Sequence, residues 1–137
     1  THSYSSAASD VYKRQEAVLP GSILRDLESA EMDEYRKPFT EPQHRRPTLT
    51  WPRQIPIDGE PVEVVEIVQS YADWLSGASL PKLFVNADPG AILTGAQREF
   101  VRSWPNLSEV TVQGNHFLQE DSPSEIGQAI QEWMNGL

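Results

Sequence analysis

From residue 58 onward the apolar positions fall into regular patterns. Val64, Val68, Tyr71 and Leu75 recur at helical spacing, which predicts a helix over residues 60–76. Lys82-Leu-Phe-Val-Asn-Ala87 is a short apolar run between Pro81 and Asp88-Pro89-Gly90, and it reads as a buried parallel strand. Ala96, Phe100 and Trp104 share one face of a second helix over residues 94–104, and a second strand is expected over 108–113. Ser122-Pro123-Ser124-Glu125 has the form of a capping box with proline at the first helical position. Ile126, Ile130, Trp133 and Leu137 then line one face of a last helix. The order helix, strand, helix, strand, helix is half of a doubly wound α/β sheet. Two strands leave open edges on both sides, so the expected fold is the carboxy-terminal part of a larger α/β protein.

Residues 16–57 have a different texture, dense in proline and turn residues. Pro20-Gly21 reads as a turn. Residues 29–37 suit a short helix with an acidic start, and Pro38 discourages its continuation. In Arg45-Arg-Pro-Thr-Leu-Thr-Trp-Pro-Arg-Gln-Ile-Pro-Ile57, three prolines fall within ten residues. That density excludes an interior helix or a central strand and predicts an ordered connector in which Trp51 and Ile55 bury. Residues 1–15 are polar, serine-rich and without period; they read as a disordered or non-native tail.

Charge and composition narrow the function classes. With 20 acidic against 11 basic residues, the net charge is −9. This argues against nucleic acid, whose phosphates need a basic patch, and against an anionic membrane surface. No apolar run approaches the ~18 residues of a membrane span. There is no cysteine, hence no disulfide, thiolate nucleophile or cysteine-bound metal. A cytoplasmic location is expected, with a periplasmic one left open.

The densest chemical signal is Val110-Thr-Val-Gln-Gly-Asn-His116-Phe-Leu-Gln-Glu-Asp-Ser-Pro123. An apolar strand runs into a Gly-Asn turn, a histidine stands at its tip, and a helix follows. A side chain on a strand-end loop is held by the sheet yet open to a cleft, which suits a general base. A lone loop histidine is also an ordinary surface residue. His44 is expected to be solvent-exposed and His2 lies in the tail. Neither stands at metal-ligand spacing from a carboxylate, and no metal site is expected.

These motifs together resemble the haloalkane dehalogenases of the α/β-hydrolase superfamily. The similar branch is the one containing the hexachlorocyclohexane-degrading dehalogenase and the Renilla-type luciferases. The matching stretches are Val18-Leu-Pro-Gly21, Arg45 to Ile57, Pro81-Lys-Leu-Phe-Val-Asn-Ala-Asp-Pro-Gly90, Trp104-Pro-Asn106 and Gly114-Asn-His-Phe-Leu-Gln-Glu-Asp-Ser-Pro123. The resemblance implies the end of a helical cap and its hinge over 16–57, and the carboxy-terminal part of the main domain over 58–137. It implies hydrolysis of a haloalkane to alcohol, halide and a proton through an alkyl-enzyme ester. Substrate and water would be the only partners, in a monomer without metal or organic cofactor. His116 takes the place of the catalytic base. Phe117 and Ile92 match pocket-lining positions. Trp51, Pro52 and Ile55 match the stretch where the cap returns and walls the cavity, and Ser22 falls at a tunnel-mouth position. The bland reading of these residues is ordinary packing.

Asp88 ends a strand where many α/β-hydrolases carry the triad acid. In the similar branch the acid follows an earlier strand, so Asp88 is read as an Asp-Pro-Gly turn residue. Glu120 and Asp121 are read as helix-start charges. The family's nucleophile-elbow aspartate, halide-binding tryptophan and oxyanion-hole donor match nothing in this sequence. The chain is thus expected to be a fragment carrying the base without the nucleophile. Two alternatives stay open: another chemistry on the same scaffold (a coelenterazine luciferase-like monooxygenase, an epoxide hydrolase or an esterase), or a non-catalytic interaction module.

Overall fold

The computed structural model describes residues 16–137. The tail assigned to residues 1–15, with His2, lies outside the described residues. The chain divides into two compact units. Of the described residues, the first comprises 16–21 and 26–68, and the second 22–25 and 69–137.

In the first unit, residues 16–21 are helical (α1), so Pro20-Gly21 ends a helix and is not a free turn. Helix α2 spans Ser29–Arg36. Its start is stabilised by the Glu28 N–H donating to the Glu31 carboxylate at 2.8 Å. Arg36 donates to both carboxylate oxygens of Glu16 at 2.8 and 2.9 Å and to Asp33 at 2.9 Å, joining α1 to α2.

The proline-rich segment is ordered, as expected, but the expectation that its prolines exclude helix is corrected. It is a succession of short helical pieces: 3₁₀ turns at Lys37–Phe39, Pro42–Arg45 and Trp51–Gln54, and helix α3 at Arg46–Thr50. Each carries its proline in the first turn, where the missing N–H has no intrahelical acceptor to lose. The expected burial of Trp51 and Ile55 is also overturned. Trp51 is 76% exposed and Ile55 47%, while Thr48 and Leu49 are the buried residues of this stretch. Asp58 and Gly59 take φ of 53° and 85°, and Ile57 and Glu60 exchange two 3.0 Å hydrogen bonds around them. Two successive left-handed residues suit an Asp-Gly pair, since glycine carries no Cβ penalty there.

Helix α4, Val62–Gly77, has no buried residue. Val64, Val68, Ala72 and Leu75 are half-buried, whereas Ile67, Tyr71 and Trp74 face solvent. Tyr71, assigned by spacing to the inner face, therefore lies on the outer one.

The second unit is built on a parallel pair. Strand β1, Lys82–Pro89, and strand β2, Leu107–Gly114, align from Lys82 opposite Leu107 to Pro89 opposite Gly114. Both strands run longer than the hydrophobic pattern suggested; β1 includes Asp88 and Pro89. Along β1, Lys82, Phe84 and Asn86 are buried in strict alternation. The buried Lys82 ammonium donates to the carbonyls of Ala78, Leu80 and Pro105 at 2.5, 3.2 and 2.8 Å. It thereby satisfies the carbonyls just beyond the α4 terminus, where a cation is favoured. Asn106, at φ 55°, turns the chain into β2 and donates its side-chain amide to the Ser79 carbonyl. Asn86 donates to the Thr111 hydroxyl, while its Oδ1 and the Trp104 Nε1 are buried without partners.

Helix α5, Gly95–Arg102, joins the strands. Phe100 packs edge-on against Trp104, with ring centroids 5.8 Å apart. Arg102 makes two hydrogen bonds to Glu109 and holds its carboxyl below the ordinary range. That contribution is present above ordinary carboxylate pKa values and fades as pH falls through the lowered one; at an exposed site it is small. Helices α6, Leu118–Asp121, and α7, Pro123–Asn135, complete the unit. Pro123 opens α7 as expected, but the capping box does not form. The Ser122 hydroxyl donates to the Gln113 carbonyl of β2 at 2.7 Å instead.

Among the described residues, the buried apolar side chains are only Leu49 in the first unit and Ile23, Phe84 and Val112 in the second, and none is completely buried. Large apolar side chains stay in water instead, including Trp74 at 61% exposure and Met134 at 60%. Each such side chain forgoes roughly 1.5–3 kcal/mol of burial free energy, against a usual domain stability of about 5–15 kcal/mol. The isolated 137-residue chain is therefore expected to bind a hydrophobic dye and to lack sharp near-UV circular dichroism. A sharp near-UV spectrum, a cooperative melt and no dye binding would contradict this.

Candidate active site

The parallel register places the carboxyl ends of both strands at one edge, where open α/β sheets build their sites. Asp88 stands one residue before the end of β1 there, and the segment Asn115-His116-Phe117 leaves β2 there. The Gly90 N–H donates to the Gly114 carbonyl at 3.0 Å, so the ladder is extended to the last residue before the turn.

Gly114 is required by a close approach. A Cβ at this position would stand 2.6 Å from the Leu118 Cβ and 2.9 Å from its Cα. Helix α6 therefore sits directly over the end of β2, and the histidine turn between them is short and tight.

His116 is exposed at the tip of this turn. Its ring lies edge-on against Phe117, with centroids 4.6 Å apart and planes at 60°. The imidazole makes no hydrogen bond to any described residue. Backbone bonds hold the residue on either side of it. The Asn115 N–H donates to Asp121 Oδ2 at 3.1 Å, and the Phe117 N–H donates to the Ser22 carbonyl at 3.1 Å.

Asp121 is the residue that the sequence pattern missed. It is not a charge idling at a helix start. Its Oδ1 accepts the Leu24 N–H at 2.8 Å and the Arg25 N–H at 3.1 Å, while Oδ2 accepts Asn115. Arg25 reinforces the same contact, donating to the Glu120 carbonyl at 2.7 Å and to its carboxylate at 2.9 Å. No spacing rule reveals this, because the donors are backbone groups and two of them lie 97 and 96 positions away.

The structure thus brings His116, Phe117 and Ser22 together in the second unit. Ile92 lies in the same unit on the loop after β1, 64% exposed. Trp51, Pro52 and Ile55 form one exposed turn and its exit in the first unit. Asp88 is exposed, and no hydrogen bond joins it to His116. No group of carboxylates and histidines suited to a metal ion occurs among the described residues. No described helix is long and apolar enough to cross a membrane.

Comparison with known proteins gives this arrangement a context. No protein-family model matches the chain. It is 58% identical over 123 residues to a haloalkane dehalogenase of Sphingobium indicum, covering 89% of this chain and 42% of that relative. It is 50% identical over 125 residues to a haloalkane dehalogenase of Mycolicibacterium smegmatis, covering 89% and 40%. Among solved structures, a haloalkane dehalogenase from Bradyrhizobium elkani is similar with a TM-score of 0.82 at 40% identity, covering 87% of this chain and 42% of that one. The chain is therefore a homologue of the haloalkane dehalogenases and spans about two-fifths of their length. The expected fold class holds: two parallel strands with flanking helices, a partial α/β-hydrolase fold.

Proposed function

We propose that this chain is the carboxy-terminal part of a haloalkane dehalogenase and that His116 is its catalytic base. The observation that carries the reading is the position of His116: an unbonded imidazole on an anchored turn at the strand carboxyl ends, within a stretch 58% identical to a dehalogenase.

The chemistry takes two steps. A carboxylate on the part of the enzyme outside this chain attacks the halogen-bearing carbon. The carbon–halogen bond breaks with its electron pair leaving on the halide, and an alkyl-enzyme ester forms. His116 then takes a proton from water, and the oxygen of that water adds to the ester carbonyl carbon. The alcohol leaves, the carboxylate is regenerated, and His116 releases its proton to solvent. An uncharged haloalkane calls for an apolar pocket. Phe117 and Ile92 would line it, Trp51, Pro52 and Ile55 would wall it, and Ser22 would stand at its mouth. In this reading residues 16–57 end the cap and 58–137 belong to the main domain. The enzyme works as a monomer in the cytoplasm, with haloalkane and water as its only reactants.

The test uses an enzyme completed by the amino-terminal part of the Sphingobium indicum relative, joined where its similarity to this chain begins. With 1-bromobutane it is expected to release bromide over many turnovers. His116→Ala should release about one bromide per enzyme and then accumulate a butyl ester visible by intact mass, because only the second step needs the base. Sustained multiple-turnover bromide release by His116→Ala would rule out this role.

Asp88 provides a second test in the same enzyme. A turn residue contributes little, so Asp88→Asn is expected to keep turnover within about tenfold, whereas loss of a triad member can cost ~10⁴-fold. A drop of about a thousandfold or more would make Asp88 the triad acid.

A further inference from the structure

We propose that Asp121 is a positioning residue for His116, acting on both flanks of the histidine turn through one carboxylate; this rests on the base role proposed above. The β ladder stops at Gly114, and the next two residues, Asn115 and His116, belong to no helix or strand. A Gly-Asn turn has wide conformational freedom in an unrestrained chain. Two N–H bonds remove it here. On one side of His116, Asn115 donates to Asp121 Oδ2. On the other, Phe117 donates to the Ser22 carbonyl.

These two restraints share a foundation. Ser22 belongs to the segment 22–25, and the Leu24 and Arg25 N–H groups of that segment both end on Asp121 Oδ1. One side of the bracket is the aspartate itself, and the other is a strand of chain that the aspartate holds in place. The close approach of Leu118 to Gly114 brings the carboxylate within reach. Hydrogen bonds from neutral N–H groups to an ionised carboxylate are shorter and stronger than neutral pairs, which suits a single anchor.

The isosteric amide cannot do the same. Three N–H donors converge on two carboxylate oxygens. An asparagine offers one acceptor oxygen and turns its NH₂ toward at least one of the donors. Either the turn or the segment 22–25 then lets go, and His116 drifts relative to the water it must deprotonate. Displacing a reacting group by about 1 Å can cost ~10²-fold in rate.

The completed enzyme described above separates this from a general loss of stability, because only ester hydrolysis needs the base. In single-turnover measurements with 1-bromobutane, Asp121→Asn is expected to slow ester hydrolysis about a hundredfold, with the bromide burst rate held within about threefold. The butyl ester should then accumulate in intact mass. Asp121→Glu, which restores two acceptor oxygens, should recover at least about tenfold of the lost hydrolysis rate. The inference is overturned if Asp121→Asn hydrolyses the ester within about threefold of the parent, if burst and hydrolysis fall together, or if the glutamate variant is no better than the amide. Should Asp121→Asn give no folded enzyme, Asp121→Ser takes its place: slowed hydrolysis with an intact burst supports the inference, and an unchanged ratio of the two rates overturns it. His116→Ala is run beside both. Failure of that variant to accumulate ester would overturn the functional reading and this inference with it, whereas an adduct with His116→Ala alone would overturn only the role of Asp121.

Discussion

The parallel register of β1 and β2 is the constraint on which the second unit depends. Eight consecutive partners, from Lys82 with Leu107 to Pro89 with Gly114, bring the two carboxyl ends level. A slip by one residue would exchange the buried and outer faces of a strand, because side chains alternate with period two. Lys82 secures one end of this register. Its ammonium draws in carbonyls from before β1 and before β2, and so ties both strand entries to one buried cation. At the other end, the bond from Gly90 to Gly114 extends the ladder to the threshold of the histidine turn. The position of His116 is thus inherited from contacts made a full strand length away.

Beyond the ladder, control passes to side chains. The Ser122 hydroxyl is bonded to the Gln113 carbonyl and so cannot cap α7 in the ordinary way. This exchange gives up a local helix contact for one that joins the start of α7 to the end of β2. Asp121, one residue earlier, does the same over a longer reach. Both residues look like routine helix-start chemistry in the sequence, and both are used to fasten the turn that bears the histidine.

This explains how much could be read without coordinates. Strands and helices with a periodic apolar face were legible because that period is written in the sequence; β1, β2, α5 and α7 all lie within a few residues of their expected places, although Phe100, Ile130 and Leu137 stay exposed. The histidine turn was legible too, since the apolar strand run breaks at Gly114-Asn115 and a helix signal follows. Three things were hidden. Pro38, Pro42, Pro47 and Pro52 stand in the first turns of helical pieces instead of preventing them, because proline is harmless where no N–H acceptor awaits. Tyr71 fits the inner stripe of α4 by spacing, yet spacing does not say how wide the covered stripe is. Asp121 binds backbone donors, which have no identity in a sequence.

The exposure of Trp51, Trp74, Ile67 and Ile92 belongs to the same logic. A sequence pattern reports the surroundings in which a residue was selected, whereas exposure reports those present around this chain. Trp51 and Ile55 have the composition of buried residues, and the turn that holds them is well formed, but water covers them. The same division runs through the chemistry. His116 stands on an anchored turn, edge-on against Phe117, which is the part that one element can supply to the proposed base. A base alone breaks no carbon–halogen bond; it needs an ester to hydrolyse and a carboxylate to form that ester. In the proposed reading the anchored turn therefore serves only the second step, and the carboxylate of the first lies outside this chain.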